Sequence, residues 1–326
     1  MTDMFNNEQV MSAESSAATP VAYVSSLGVA NDSSVDLTQQ SNSLQTNNLQ
    51  KTLEWMCYPL LWLIASTAVW ATFTYELEFG LVNVLFLFFV IAYLALFERL
   101  IPYDVTWQAT KKEWLRDGAY LFITMMGGAL SIAAIFAVAS LVSPKTPSLP
   151  LGLEIVLAIL FISFGSYVFH RLGHDWPWLW RFHGIHHAEA KVNVGNNSVN
   201  HIFDVWGRRF VAQLPLIFIG ISQESLFVVS IFNTLQGYFV HANINVRLGR
   251  LNYFIGSPEQ HRLHHSVDIK EAGHFCVDVT LWDWLFGSYF WRKGRKPDAV
   301  GIKNPARFPP PEAILKCFIH PFKKPK

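Results

Sequence analysis

The sequence has few cysteines and few charged side chains. Its three cysteines, Cys57, Cys276 and Cys317, are far apart, which excludes a disulfide framework and a zinc knuckle built from paired cysteines. A formal net charge of +1 excludes strong electrostatic attraction to nucleic acid. Haem-binding spacing, iron–sulfur spacing and a Gly-rich dinucleotide fingerprint are also absent. Any bound metal must therefore use histidines and carboxylates.

The composition is that of a membrane protein. Of the 326 residues, 51% are hydrophobic and only 15% are charged, which is more apolar than an ordinary soluble domain. Residues 1–52 are instead rich in Ser, Thr, Asn and Gln, and we expect them to form a disordered polar tail. This tail has no basic start followed by an apolar run, so a secretory signal peptide is not expected.

Four apolar runs follow the tail, each close to the roughly 20 residues that a helix needs to cross a bilayer. They are Met56–Thr74, Phe79–Phe97, Ala119–Val142 and Leu151–Phe169. The sequence therefore predicts an all-α integral membrane protein with four transmembrane helices in residues 53–169.

Basic residues are concentrated between the second and third predicted spans, where Arg99, Lys111, Lys112 and Arg116 lie. Because basic loops stay in the cytoplasm, both termini and everything from His170 onward are predicted to be cytoplasmic.

A second apolar region lies at residues 210–240. Its halves, Phe210–Ile221 and Leu226–Val240, are each short for a full crossing, which predicts a re-entrant or interfacial helical hairpin. It lies within residues 170–291, which are predicted to form a cytoplasmic histidine-rich cap. Residues 292–326 are basic and Pro-rich, as in a cytoplasmic tail beside anionic lipid.

Most of the 12 histidines lie in short clusters within that cap. The clusters are His170 and His174; His183, His186 and His187; and His261, His264 and His265. A four-residue step stacks two rings on one helical face. In the two three-histidine clusters, we expect the three-residue step to bring two rings to one ion and the adjacent ring to reach a second.

This many histidines indicates two metal ions, because a structural zinc site normally stops at four ligands. Imidazole suits zinc, copper, iron and nickel alike. Two neighbouring ions with open positions could bind and reduce O2, and zinc has no accessible redox change for that reaction. Iron is therefore the favoured metal.

These motifs resemble the fatty acid hydroxylase and sterol desaturase superfamily of membrane non-haem di-iron oxygenases, which includes alkylglycerol monooxygenase. The resemblance covers roughly Glu98 to Phe290. It rests on four motifs in the order and spacing of the family: His170-Arg-Leu-Gly-His174, His183-Gly-Ile-His186-His187, Ser257-Pro-Glu-Gln-His261-Arg-Leu-His264-His265 and Trp282-Asp-Trp-Leu-Phe-Gly-Ser-Tyr289.

The resemblance implies nine catalytic metal ligands: His170, His174, His183, His186, His187, His241, His261, His264 and His265. His201 stands where many relatives have a His-Pro pair, and it is either a ligand or a residue at a helix start. His274 stands where relatives commonly carry Asn, so it is a candidate tenth ligand or water anchor. Trp284 replaces a basic residue of the family. His320 is not expected to bind metal.

Carboxylates near the clusters could orient the ligating rings by accepting their distal N–H groups. The candidates are Asp175, Glu189, Glu259, Asp268 and Asp278, each of which could equally be a solvated surface charge.

The implied reaction is hydroxylation of a lipid C–H bond by two iron ions, O2 and electrons from a separate donor protein. The donor could dock on the basic tail or on Arg99–Asp117. Desaturation of a lipid or sterol by the same site is the alternative within this chemistry. A histidine-rich metal transporter or sensor is the alternative from another class, but transport needs ionisable residues inside the spans, and these have almost none. The sequence indicates neither the lipid nor an oligomeric state.

Overall fold

The described part of the chain is helical. The computed structural model describes residues 33–144 and 149–323, and the chain divides into two compact units, Met1–Thr46 and Asn47–Lys326. No strand occurs in the described residues, which form α1 (Ser33–Thr74), α2 (Phe79–Leu100), α3 (Lys111–Val142), α4 (Leu151–Asp175), α5 (Pro177–His187), α6 (Ile202–Ile219), α7 (Gln223–His241), α8 (Pro258–His264), α9 (Leu281–Leu285) and α10 (Ile314–Ile319). The predicted all-α architecture is confirmed.

Four helices are long and apolar enough to cross a membrane. They are Asn48–Thr74, Phe79–Leu100, Lys111–Val142 and Leu151–Asp175, and each contains one predicted span. Their outer faces carry exposed apolar side chains such as Leu85, Phe122 and Phe136, as expected for surfaces in contact with lipid. The chain is therefore a multi-pass membrane protein.

The first helix starts earlier than expected. Of the predicted disordered tail, residues 1–32 lie outside the described residues, but α1 begins at Ser33. The structure places residues 33–52 in this helix, and the division of the chain into a disordered tail and later regions stays a prediction. Once a helix exists, each further residue adds a hydrogen bond at little nucleation cost, and this polar segment contains no Pro or Gly to end the helix.

Helices α6 and α7 form an antiparallel hairpin that is longer than predicted, because α6 includes the polar residues from Ile202 onward. Its turn lies beside the connection from α3 to α4. There Gly220 adopts a φ of 72° next to Pro144, and Glu154 of α4 accepts hydrogen bonds from the Ser222 amide at 3.1 Å and the Ser225 hydroxyl at 2.8 Å. Helix α6 thus runs along α3 and α4, and α7 runs along α2 and α4. Its re-entrant or interfacial placement stays a prediction.

Glycines allow α6 to approach α3 and α4 closely. A Cβ atom on Gly165 of α4 would lie 2.5 Å from the Cα of Ala212, and one on Gly207 of α6 would lie 2.6 Å from the ring of Phe169. Small residues commonly mediate such backbone contacts between membrane helices. This packing fixes the end of α4 that carries His170.

The C-terminal region is not a detached tail. The Tyr120 hydroxyl of α3 donates to the Pro311 carbonyl at 3.0 Å, and Arg116 pairs with Glu312 at 2.9 Å. Cys317 of α10 is buried in a small apolar cluster with Ile185 of α5. Residues 305–319 are therefore held against α3 and α5 by contacts that sequence composition does not reveal, and the basic cytoplasmic tail stays a prediction.

The close approach at Gly165 predicts opposite effects for two Gly→Ala changes. Gly165→Ala should destabilise the protein by about 1–3 kcal/mol through overpacking against α6. Gly118→Ala in α3, where a Cβ would meet nothing within 4 Å, should instead stabilise it by up to about 1 kcal/mol through higher helix propensity. Thermal unfolding of the detergent-solubilised variants measures both effects, and equal stability of the two variants would contradict the tight α4–α6 contact.

Candidate metal centre

Nine histidines come together in two groups, and they are the nine predicted from sequence. The first group contains His170, His174, His183, His187 and His264, and the second contains His186, His241, His261 and His265. Within each group, one ring nitrogen per residue lies within 4.8 Å of all the others, a spacing that could hold a metal ion. Eight of the nine side chains are buried and His174 is half-buried.

The division of histidines between the groups differs from our prediction. In α5, His183 and His187 share the first group, whereas His186 belongs to the second. The expectation that histidines three residues apart share an ion is therefore wrong. At 100° per residue, the fourth residue is offset by only about 40°, whereas the third is offset by about 60° to the other side. The four-residue pair therefore converges on one point.

The last histidine cluster repeats this arrangement with the groups exchanged. His261 and His265 belong to the second group, and His264 belongs to the first. The rings of His187 and His265, one from each group, stack with centroids 4.2 Å apart. The two groups are therefore neighbours that share the same pair of short helices.

Five of the nine rings are oriented by a hydrogen bond at Nδ1. The acceptors are the carbonyl of Phe275 for His170 (2.6 Å), Val199 for His186 (3.2 Å), Asn193 for His241 (2.8 Å) and Gly273 for His264 (3.2 Å), and the Asp204 carboxylate for His183 (3.3 Å). Because a carbonyl only accepts, Nδ1 of the four rings that face a carbonyl carries the hydrogen and Nε2 carries the lone pair. Such bonds commonly fix metal-ligating histidines.

The other nitrogens lack ordinary partners. Nε2 of His174, His241 and His264 is buried without a hydrogen bond among the described residues. Nε2 of His183 faces Nε2 of His187 at 3.2 Å, and the pair His261 and His265 repeats this contact in the second group. Lone pairs buried in this way are costly unless something satisfies them. The donor set therefore fits a metal ion in each group.

Burial also holds several of these histidines in the neutral form that binds metal. Burial, reinforced by the neighbouring rings, lowers the pKa of His186, His187, His261 and His265 well below the usual value. Burial likewise lowers the pKa of His264 to about 3. These imidazoles are therefore uncharged near pH 7 and do not repel one another.

Asp283, within the Trp282-Asp motif, supports one side of the centre. It is fully buried, and its carboxylate accepts hydrogen bonds from the backbone amides of Phe275 and Cys276, each at 2.8 Å. The same loop supplies the carbonyls that orient His170 and His264. Asp283 thus positions two histidines without touching either ring. The sequence singled out its motif but gave no sign of this role.

Glu98 has the corresponding role on the other side. This buried carboxylate near the end of α2 accepts hydrogen bonds from the amides of Val194 at 2.6 Å and Asn243 at 2.8 Å. It thereby ties the loop that carries Asn193, whose carbonyl orients His241, to the end of α7. Our sequence reasoning did not identify Glu98 as part of the site.

His201 and His274 lie outside both groups. His201 caps α6, since its Nδ1 accepts from the Phe203 amide at 3.1 Å and its Nε2 bonds the Phe318 carbonyl at 3.2 Å. His201 therefore has the structural role at a helix start. His274 is buried at a φ of 66°, with Nδ1 3.6 Å from the Asp283 carboxylate and no hydrogen bond at either ring nitrogen. Neither joins the nitrogens that could hold an ion.

The five carboxylates predicted to orient ligating rings bond other groups instead. Asp175 pairs with Arg171, Glu189 pairs with Arg116, Glu259 accepts from Leu248 and Asn252, Asp268 accepts from Lys270, and Asp278 accepts from Ser163. Of the two alternatives, an orienting contact with a ligating ring is not seen for any of the five, because proximity in sequence does not place a carboxylate behind a ring. Among the described residues, the carboxylate that contacts a histidine of the two groups is Asp204, which the first turn of α6 brings to His183.

Comparisons with known proteins agree with this geometry. Residues 155–288 match the fatty acid hydroxylase family. The chain is 29% identical over 248 residues to ornithine lipid hydroxylase OlsE of Rhizobium tropici, covering 72% of this chain and 74% of that protein. It is 31% identical over 143 residues to alkylglycerol monooxygenase of Danio rerio, covering 41% of this chain and 30% of that protein.

A more distant relative is a cholesterol 25-hydroxylase-like protein of Danio rerio, 23% identical over 141 residues, with 41% of this chain and 55% of that protein covered. No solved structure is significantly similar to the chain. The chain spans about three quarters of the bacterial relative but under a third of the alkylglycerol monooxygenase. The resemblance to the superfamily and the prediction of an oxidoreductase are confirmed.

The buried neutral histidines predict how metal-free protein responds to pH. Unfolding returns each ring to a pKa of about 6.5, so below this value the unfolded state binds more protons and stability falls with decreasing pH. Each such histidine contributes about 1.4 kcal/mol per pH unit between about 6.5 and its folded pKa. For His264 the range extends down to about 3.

Denaturant unfolding of chelator-treated protein at about pH 7.5 and about pH 5.5 measures this dependence. The parent should be clearly less stable at the lower pH. His264→Asn should show a smaller loss, because one titrating group is removed. A parent whose stability is the same at both values would show that the histidines are charged or exposed in the folded state.

Proposed function

Because residues 155–288 form a fatty acid hydroxylase domain, we propose that this protein is a membrane di-iron oxygenase that hydroxylates a C–H bond of a lipid with O2. The observation that carries the proposal is the pair of adjacent histidine groups, whose buried nitrogens lack partners and converge on two points. Iron bound there would supply the redox chemistry that activates O2 for attack on an unactivated C–H bond.

Each group has a distinct set of protein ligands in this proposal. Five histidines from α4, α5 and α8 would hold one ion, and four from α5, α7 and α8 would hold the other. The chain orients these rings through backbone carbonyls and Asp204, and it keeps them neutral by burial. Their burial also excludes bulk water, which favours use of the oxidant on the substrate.

A lipid with a polar head and a long chain is the proposed substrate. The two relatives described first are named for ornithine lipid and for alkylglycerol, which share this amphiphilic character. The centre lies at the end of α4, one of the four candidate spans, so a lipid could reach it from the bilayer. The relatives' names as hydroxylases and monooxygenases favour hydroxylation over desaturation.

Electrons must come from a separate protein, since the chain carries no haem, flavin or iron–sulfur motif. We place the centre and both termini in the cytoplasm, where such donors would reach it. The exposed Arg99 at the end of α2, with Lys111 and Lys112 at the start of α3, supports this orientation because basic residues beside spans stay on the cytoplasmic side. The same basic surface would face anionic lipid.

Metal analysis of single variants tests the proposed centre. Purified parent protein should contain about two iron ions, and His264→Ala and His186→Ala should each lose about one, because they remove a ligand from the first and the second group respectively. His320→Ala, outside both groups, is the matched control and should retain the parent content. Elemental mass spectrometry measures the ratio, and unchanged iron in both ligand variants would rule out the assignment.

Isotope-labelled O2 tests the reaction. Lipids from cells that produce the protein under labelled O2 should contain an alcohol with one labelled oxygen atom, identified by mass spectrometry. Cells that produce His264→Ala should lose this product by at least about 100-fold, because the site could no longer complete its ligand set. An alkene without label would instead support desaturation, and lipids unchanged from cells without the protein would contradict both reactions.

A further inference from the structure

Helix α6 carries two adjacent arginines, Arg208 and Arg209. Arg208 and Arg209 form no hydrogen bond and no ion pair with any other residue that the structure describes. Arg208 is half-buried and Arg209 is exposed, and both belong to a helix that packs against the candidate spans α3 and α4. In membrane proteins, arginines that form no hydrogen bond or ion pair within the protein commonly mark a substrate or ion site.

Arg208 lies on the side of α6 that faces the metal centre. It is close enough to interact electrostatically with Asp204, which orients His183, and with His186 of the second group. Arg208 follows Asp204 by four residues, which is about one turn of helix. A molecule bound at Arg208 could therefore approach His183, which Asp204 contacts.

The side chain of Arg209 lies over a glycine of α3, which leaves room for it. Its guanidinium lies over Gly128 of α3, where a Cβ atom would be only 2.4 Å from Nη1. The phenol of Tyr238 from α7 is close enough for an electrostatic contact, and its hydroxyl lies 3.2 Å from that of Ser198. Arg209 thus lies over α3 with the phenol of an α7 residue nearby.

We propose that Arg208 and Arg209 bind the acidic head group of the lipid substrate. This inference rests on the proposed function and adds the substrate class. A guanidinium offers a planar set of donors that matches the oxygens of a carboxylate or phosphate, and two adjacent guanidiniums favour an anion strongly over a neutral head group. Held there, the head group would place a nearby carbon of the lipid beside the two histidine groups.

Two lipids that differ only in the head group test this assignment. Detergent-solubilised protein is titrated with dioleoyl phosphatidic acid or dioleoylglycerol, and bound lipid is measured by native mass spectrometry. The parent should bind the acidic lipid at least about tenfold more tightly, and Arg208→Gln/Arg209→Gln should abolish this preference. Arg209→Lys should give an intermediate value, since it keeps the charge but loses the paired donors.

Arg250→Gln is the matched control, because it removes one cation from an exposed turn outside the centre, and it should leave the preference unchanged. Equal binding of the two lipids by the parent, or a preference that survives the double change in folded protein, would overturn the inference. Inorganic phosphate that displaces the acidic lipid at equal concentration would also overturn it, since the site would then take a free anion.

Binding is measured without turnover, so the two proposals can fail separately. If the head-group preference is absent, the iron content and the labelled alcohol still test the oxygenase proposal. Conversely, if the head-group preference is present but no labelled alcohol forms, the oxygenase proposal is rejected and an acidic-lipid site beside the histidines remains.

Discussion

Nine imidazoles buried together need a partner for their lone pairs, and much of the surrounding structure follows from this constraint. Charged imidazoles at these distances would repel one another, and burial keeps His187 and His265 neutral by lowering their pKa. Neutral rings then direct Nδ1 hydrogens outward to carbonyls, which leaves Nε2 atoms facing inward without hydrogen-bond donors. A polar cluster left in this state would destabilise the fold. The arrangement therefore supports the proposed metal site.

The supporting carboxylates act on the backbone more than on the rings. Asp283 and Glu98 each accept two amide hydrogens and fix a loop whose carbonyl receives a histidine N–H. An irregular loop would otherwise move more than the helices that carry the rings. Each carboxylate thereby limits the orientation of a ring from a distance, which is the precision that the proposed two-metal site would need.

Much of this site could be predicted from the sequence, because helical spacing is local. The four spans follow from apolar length, and the nine histidines follow from recurring clusters and from family motifs. The assignment of His186 and His187 to different groups could not be predicted with the same rule. It depends on the rotation of α5 relative to α4 and α8, which only tertiary packing sets. Asp204 could not be predicted for the same reason, because it is 21 residues from His183 in the sequence and contacts it only in the folded chain.

The hairpin of α6 and α7 connects the membrane part to the chemistry. Its ends contribute Asp204 and His241 to the centre, and its turn is held by Glu154 at the far end of α4. Glycines at 165 and 207 allow it to pack closely, so its position is determined along its whole length. A helix fixed at both ends can present Arg208 and Arg209 at a constant distance from the histidines. That fixed distance would let one enzyme select a carbon by its separation from an acidic head group.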